Sequence, residues 1–400
     1  QDNKVIIFND NYYKNTAKIK FIYEILKEGE AIFTKSFESN VLPRTNKEID
    51  ILPNINFDND IDYLVRIRAL AKEDNNYLKQ NDEIAFEEKF IKGDLFTSFY
   101  KEKVYSNNKI ITYKSLNHLT VEVNKLKVIF NGIENNLGGL EAIYYDNKQY
   151  LMKLILPTLF RANIDNDRII NKFFTSFYFS SSFFPLYNPM KNEIKIIKEN
   201  KDYVIIRVIY KMINAIFFTN FIIDYKITNS EEIIVEAKYK TNKLLPPPDF
   251  IGLRIPIKNK FSEFKYLGLG KEDNYIDRYK GIKYGIYESN CNDEYIPYSI
   301  PQDSGNHLGT KYIKIPMNDH YLNFYSLDKS FEFKFIPYSE FELEIKERNE
   351  ELVKSKFNYL TIALANRGVG GDDSWGAPTH SKYCLKKNKL YSLKFKIFID

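Results

Sequence analysis

The stretch Ala17-Lys18-Ile19-Lys20-Phe21-Ile22-Tyr23-Glu24-Ile25-Leu26 shows the pattern that recurs along the whole chain. Alternate residues from Ile19 to Ile25 fall on one apolar face, and a period of two is the signature of a half-buried β-strand. Residues 61–70 alternate in the same way, and turn formers such as Leu42-Pro43 separate these segments. Residues 1–98 therefore hold about seven short strands, which is typical of an immunoglobulin or fibronectin type III sandwich.

The rest of the chain predicts a second and larger β unit. Two polar runs within residues 99–112 indicate a linker, and alternating segments resume after it, with long strands at about 203–210, 215–227 and 232–239. The roughly 290 residues that follow the linker exceed what one sandwich needs, so residues 113–400 predict a large antiparallel supersandwich. The sequence thus indicates an all-β protein with little helix.

Only one helix and two further loops stand out in this second unit. The helix is predicted at about residues 339–349. The runs Ser180-Ser181-Ser182 and Pro246-Pro247-Pro248 are interpreted as loops, because serine and proline clusters interrupt regular structure.

Composition excludes several classes of protein. The 400 residues include 58 Lys and Arg against 53 Asp and Glu, a weak net charge of +5, and the lysines are scattered. A nucleic-acid surface needs clustered basic residues, so no nucleic-acid partner is expected. No window reaches the roughly 18 apolar residues of a transmembrane helix, so no membrane association is expected either.

The cysteines and the first residues bear on the cellular compartment. Cys291 and Cys384 lie far apart without metal-ligand spacing, which indicates reduced thiols in a cytoplasmic protein. No signal peptide opens the chain, and its first residue is Gln1 rather than Met. We therefore expect a processed product or an excised piece of a longer protein, or a separate small subunit.

The segment Gly368-Val369-Gly370-Gly371-Asp372-Asp373-Ser374-Trp375-Gly376 is the most informative for function. Its glycines can take positive φ and let the backbone pass close to other groups. Asp372 and Asp373 favour a structural turn over a calcium site. They are a poor acid–base pair, because adjacent residues in an extended chain point apart while glycosidase carboxylates face each other across about 5–10 Å.

Trp375 is the only tryptophan and lies at the tip of this segment. A lone tryptophan is commonly a core residue, but the polar, glycine-rich surroundings favour an indole face presented to solvent. Such a face stacks well on the apolar face of a sugar ring. Core packing remains the alternative role.

Four segments, in this order, resemble the C-terminal region of the β-galactosidases of glycoside hydrolase family 2. They are F-R-A-N-I-D-N-D-R at 160–168, Y-L-G-L-G at 266–270 with N-Y-I-D-R at 274–278, P-Q-D-S-G at 301–305, and G-G-D-D-S-W at 370–375. Residues 1–98 are more weakly similar to the sandwich domain that precedes this region. The chain departs from the family pattern at a few positions: Asn163, Tyr266, Asp273, Asp303 and His307.

The resemblance implies the C-terminal part of a retaining enzyme that hydrolyses terminal β-D-galactosides such as lactose. Its two catalytic glutamates would lie on a TIM barrel outside this chain, so no catalytic residue is expected here. Trp375 would form one wall of the sugar pocket. Arg161, Asp165, Asn166 and Asp167, with Asp372 and Asp373, would lie at the pocket mouth or just behind it. A buried polar network is the alternative for the group from Arg161 to Asp167.

The same resemblance sets the expected cofactors and partners. No metal or other cofactor is expected in this chain, and Mg²⁺ and Na⁺ would belong mostly to the barrel. The partners would be a galactoside and the barrel portion of the same enzyme or a large subunit. The complete enzyme is expected to be a homo-oligomer.

Three other functions compete with this interpretation, since fold alone does not fix function. One is an autonomous carbohydrate-binding module that uses Trp375, and another is a purely structural assembly domain. The third is a sugar-converting enzyme, because the larger unit resembles galactose mutarotases in architecture. A mutarotase needs a general acid and a general base facing one sugar, and neither His307 nor His380 has an obvious glutamate partner in the sequence.

Overall fold

The computed structural model describes residues 4–50, 56–132, 138–170, 172–183, 192–214, 217–373 and 377–400. Within these ranges the protein is nearly all β, with large antiparallel sheets, which confirms the predicted fold class. The chain divides into two compact units, residues 1–99 with 283–286, and residues 100–282 with 287–400.

The first unit contains a two-stranded and a four-stranded antiparallel sheet, ordered β1-β4 and β3-β2-β5-β6. The strands are β1 Lys4–Asn9, β2 Ile19–Lys27, β3 Glu30–Phe37, β4 Thr45–Asp50, β5 Tyr63–Ala71 and β6 Glu83–Lys92. The alternation predicted for β2 places Phe21, Tyr23 and Ile25 in the core, each at most 5% exposed. Six strands lie in the described part of residues 1–98, where the sequence predicted about seven.

The remaining strands form three sheets, ordered β11-β10-β9-β8-β7, β12-β17-β24-β23-β20 and β13-β14-β15-β16-β25-β22-β21-β18-β19. They belong to the second unit, except for residues 283–286 at the start of β19, which are assigned to the first unit. The strands are β7 Ile110–Lys114, β8 His118–Val123, β9 Leu126–Asn131, β10 Gly139–Tyr145, β11 Lys148–Leu151, β12 Leu156–Thr158, β13 Glu193–Glu199, β14 Tyr203–Asn214, β15 Phe217–Thr228, β16 Ile233–Lys240, β17 Phe250–Lys258, β18 Glu263–Gly270, β19 Lys283–Asn290, β20 Asn306–Thr310, β21 Tyr312–Met317, β22 His320–Leu327, β23 Phe331–Ile336, β24 Phe357–Asn366 and β25 Leu390–Ile399. One hydrophobic core takes residues from all three sheets, for example Val128, Tyr225 and Leu360.

The segment predicted as a linker lies along this second unit. The Lys103 amide donates to Glu232 at 2.7 Å, and the Ser106 amide donates to the Asn229 side chain at 2.8 Å. Strand β7 already begins at Ile110. Residues 103–106 are therefore bound to the turn between β15 and β16, and the domain boundaries at 98 and 113 stay predictions.

The described residues contain four short helices, α1 Asp165–Ile170, α2 Lys172–Phe183, α3 Cys291–Glu294 and α4 Glu340–Ile345. The predicted helix at 339–349 corresponds to α4, which is shorter than predicted and ends at Ile345. It begins with a capping box, in which the side chains of Ser339 and Glu342 each accept the other's backbone amide. No helix in the described ranges is long and apolar enough to span a bilayer.

The interpretation of residues 180–182 as a loop is wrong, because they form the last turns of α2. The reason lies in tertiary packing. The Phe179 ring meets Phe160 and Phe341 edge-on, with centroids 5.2 and 5.5 Å away. The Ser182 hydroxyl accepts the Leu159 amide at 2.8 Å, and contacts of this kind override weak helix propensity.

Candidate functional site

Loops from distant parts of the second unit meet around an open cavity of about 340 Å³. They come from the start of α1, from the connection between β18 and β19, from the segment between α3 and β20, and from the loop after β24. The lining residues are Ile164, Asp165, Asn166, Asp273, Tyr275, Arg278, Tyr298, Gln302, Asp303, Val369, Gly370, Gly371 and Asp373. The four segments of the family resemblance thus share one cavity.

Helix α1 and residues 301–302 form one side of the cavity. The Asp165 backbone amide donates to the side-chain Oε1 of Gln302 at 3.1 Å, and the side-chain Nε2 of Gln302 donates back to the Asp165 carboxylate at 3.3 Å. Arg168 donates to the Pro301 carbonyl at 2.6 Å. Asp165 is exposed and Asn166 is half-buried, so both side chains lie at the cavity mouth.

Arg161 and Asp167 do not line the cavity but lie buried behind it. The Arg161 guanidinium donates to the Asn366 side chain at 2.9 Å and to the carbonyls of Arg367 and Gly368 at 2.6 and 2.9 Å. Asp167 lies 3.6 Å from Arg161 and pairs closely with Arg367. Burial by itself would lower the pKa of Arg161, because it disfavours the charged guanidinium. Nearby carboxylates, Asp167 first, have the larger combined effect, so the pKa of Arg161 is raised overall.

The floor of the cavity consists of residues that the sequence-based site did not include. The Tyr275 ring is buried, and its hydroxyl donates to Asp303 at 2.9 Å. Asp303 also pairs with Lys334 on β23. Nothing in the sequence around Lys334 predicts that it lies near this cavity. Tyr275 and Asp303 lie within segments of the resemblance, and this is the only sequence signal that points to them.

Asp273 and Arg278 form an ion pair at the rim, with 2.7 Å between guanidinium nitrogen and carboxylate oxygen. Burial raises the pKa of Asp273, while the Arg278 charge opposes that rise. A neighbouring cavity of about 450 Å³ shares these two residues. The pair therefore separates two concave surfaces.

The glycine-rich segment forms the opposite side. Close approach is confirmed there, since an added Cβ on Gly368 would lie 2.4 Å from Asp277, and one on Gly371 would lie 2.1 Å from the Ala377 carbonyl. The possibility of positive φ is not used, because none of Gly368, Gly370 and Gly371 is among the glycines with positive φ. The glycines are needed for space and not for left-handed conformation.

Asp372 and Asp373 have different partners. The Asp373 carboxylate accepts the Ala377 amide at 3.2 Å, which is a turn contact. Asp372 lies 2.7 Å from the His380 imidazole, and both side chains are exposed. In the described part of the chain, no three His, Cys, Asp or Glu side chains are grouped closely enough to hold a metal ion. Trp375 and its two neighbours lie outside the described residues.

His307 does have a glutamate partner, contrary to the sequence analysis. Its Nε2 lies 2.7 Å from Glu294, and its Nδ1 lies 3.1 Å from the Tyr266 hydroxyl. His307 is 0% exposed. It cannot face a sugar in this structure, so the pair does not supply the acid and base of a mutarotase.

Comparison with known proteins decides the family. Residues 124–397 match the family model described as "Beta galactosidase small chain". The chain belongs to this small-chain family. Residues 5–91 match a second model, described as "Beta-galactosidase, domain 4".

Relatives of this small chain are named β-galactosidase. The enzyme from Streptococcus thermophilus is 35% identical over 176 residues, which is 44% of this chain and 17% of that protein. The enzyme from Pseudoalteromonas haloplanktis is 25% identical over 397 residues, 97% of this chain and 37% of that protein. The one from Lactococcus lactis is 25% identical, over 98% of this chain and 39% of that protein. The chain thus spans less than two fifths of these relatives.

Among solved structures, the small chain is similar to a putative aldose 1-epimerase from Escherichia coli K12. The TM-score is 0.38 at 8% identity, and the match covers 73% of this chain and 99% of that one. A likeness this distant carries no functional argument.

Proposed function

We propose that this chain is the C-terminal part of a retaining β-galactosidase and supplies one wall of its sugar pocket. One observation carries the proposal: the four segments of the resemblance, far apart in sequence, line a single cavity. In this proposal, Trp375 stacks on the sugar at the aglycone side, and Asp165, Asn166 and Asp373 lie at the mouth. Lactose is the reference substrate.

The catalytic step is assigned to a part of the enzyme outside this chain. Retaining glycosidases need two carboxyl groups that face each other across the scissile bond at about 5–5.5 Å. Two of the cavity carboxylates already have charged partners, since Asp273 pairs with Arg278 and Asp303 pairs with Lys334. The acid and the nucleophile would therefore come from the barrel, either in the same polypeptide or in a large subunit.

The remaining proposals follow from this assignment. We propose that this chain needs no metal of its own and that the enzyme's Mg²⁺ and Na⁺ bind mostly to the barrel. We also propose a homo-oligomer that does not bind nucleic acid or membranes. A cytoplasmic location is supported by Cys291 and Cys384, which are both free thiols.

Steady-state kinetics of the complete enzyme test the proposed pocket wall. Asp165→Ala and Asn166→Ala should raise KM for lactose about 3- to 10-fold, because each removes a polar group at the mouth worth about 1 kcal/mol. Asp319→Ala is the matched control, since Asp319 is exposed, is paired with Lys148 and does not line the cavity. Unchanged KM in both cavity variants would contradict the proposal.

A further inference from the structure

Asp277 contacts the part of the cavity wall that follows β24, residues 369–371, through both of its carboxylate oxygens. Its two carboxylate oxygens accept two consecutive backbone amides, Val369 at 3.1 Å and Gly370 at 2.7 Å. Two adjacent N–H groups that converge on one anionic group form a compact anion-binding arrangement. Charge-assisted bonds of this kind are stronger than neutral ones.

Asp277 is itself held by a tight turn. Tyr275 and Arg278 exchange both backbone hydrogen bonds, at 3.2 and 2.8 Å, so Asp277 lies in the two-residue connection between them. The turn is anchored below by the buried Tyr275 ring and its bond to Asp303. The backbone that carries the Asp277 carboxylate is therefore held in place by this turn.

The glycine-rich segment is shaped to accept this carboxylate. An ideal Cβ on Gly368 would lie 2.4 to 2.8 Å from the three carboxylate atoms of Asp277, and one on Gly370 would lie 3.3 Å from the nearer oxygen. On its other side, the Gly368 carbonyl accepts from Arg161 at 2.9 Å and from Thr379 at 3.3 Å. The segment is thus clamped between a guanidinium and a carboxylate.

We propose that Asp277 is a positioning residue for substrate binding. Its carboxylate fixes residues 369–371, which line the cavity and lead directly into Asp372, Asp373 and Trp375. Asp277 does not line the cavity, so it acts through the backbone and not by contact with the sugar. This inference rests on the proposed function, because it assumes that the cavity binds the galactoside.

Kinetics of the complete enzyme test the proposal. Asp277→Ala removes both acceptors, and Asp277→Asn keeps one while facing the second amide with an NH₂ group. We expect KM for lactose to rise about 10-fold in the first and about 3-fold in the second, which corresponds to roughly 1.4 and 0.7 kcal/mol. The value of kcat should change less than 2-fold, since the reacting carboxyls are elsewhere.

A double-mutant cycle separates positioning from general damage. Gly368→Ala should raise KM by itself, because its methyl group collides with Asp277. In the Asp277→Ala background, Gly368→Ala should raise KM by less than a further 2-fold, because the carboxylate that the methyl group would collide with is absent. Independent, multiplying effects of the two changes would overturn the proposal.

Trp375 fluorescence in the 400-residue chain gives a readout that does not need catalysis. Because it is the only tryptophan, its emission should shift in Asp277→Ala and much less in the control Asp319→Ala. If the Asp165 and Asn166 variants raise KM while the Asp277 variants do not, only the positioning role fails. If none of them changes KM, the proposed function fails as well.

Discussion

Arg161 is one of the least exposed large side chains in the chain, at 2% of its full area. Its guanidinium joins the segment between β12 and α1 to the end of β24 and the two residues after it, through three acceptors at 2.6 to 2.9 Å. Asp167 lies close to both Arg161 and Arg367, and Arg367 also pairs with Asp249 at 3.2 Å, so two cations and two carboxylates form one network. Arg161 thus bonds two chain segments that both continue into the cavity lining.

We expect Arg161→Ala to lower the free energy of unfolding by about 3–5 kcal/mol, because it leaves buried acceptors and part of a buried charge without a partner. Urea denaturation measures the loss. The matched control is Arg207→Ala, which removes a two-bond pair with Asp224 from a partly exposed site and should cost about 1 kcal/mol or less. A loss at Arg161 no larger than this would contradict the buried-network role.

Trp375→Ala is expected to weaken binding of aglycone-bearing substrates and acceptor sugars by about 1–2 kcal/mol, or 5- to 30-fold, in the complete enzyme. The reason is the loss of a stacking face, a role that rests on the sequence and on the family. Inhibition constants for sugars and KM values measure the effect. Strongly blue-shifted emission from this chain, shielded from iodide, would identify a core residue and refute the role.

Among the elements, those with a strong local pattern could be predicted from the sequence and those held by distant contacts could not. Strand β2 begins only two residues after the start of the quoted stretch and ends one residue after its end, because its alternation is local. Helix α2 carries no such signal, since its packing partner Phe341 comes from α4. The site follows the same rule. Asp165 and Asp373 could be predicted because they lie in segments that resemble the family. Lys334 could not, because only the folded sheet brings it next to Asp303.

Strand β23 carries Glu332, whose titration should make the free energy of unfolding depend on pH. Glu332 accepts the Asn306 side chain from β20 at 3.2 Å. Burial of this carboxylate raises the pKa of Glu332 from 4.5 to about 7. Between these values the folded chain keeps a proton that the unfolded chain has lost, so this group's contribution to stability falls as pH rises.

Glu332→Gln should therefore stabilise the chain more at pH 8 than at pH 5, because glutamine keeps the acceptor and never acquires the buried charge. Urea unfolding of both proteins at the two pH values measures the difference. Glu263→Gln, at the exposed start of β18, is the matched control. A difference between Glu332→Gln and the parent that is the same at both pH values would refute the prediction.

At the scale of the whole molecule, the large hydrophobic core of the second unit takes residues from three sheets, and the cavity is lined by segments that connect strands and helices of this unit. Binding residues are commonly carried by loops that a packed scaffold positions. The relatives that match nearly the whole chain are more than twice as long. In the proposed function, the cavity is one side of a pocket that a further part of the enzyme completes.

We expect the isolated chain not to hydrolyse an aryl β-galactoside. Cleavage needs an acid and a nucleophile that stabilise an oxocarbenium-like transition state together, and one pocket wall does not provide both. Adding the barrel portion or a large subunit should restore turnover, and a chain with Asp165→Ala should restore it with a raised KM. Release of aryl alcohol from the purified chain, followed by absorbance, is the measurement. Turnover that persists after every trace of complete enzyme has been removed would show that the chain carries its own catalytic groups, and the assignment of the chemistry to the barrel would then be wrong.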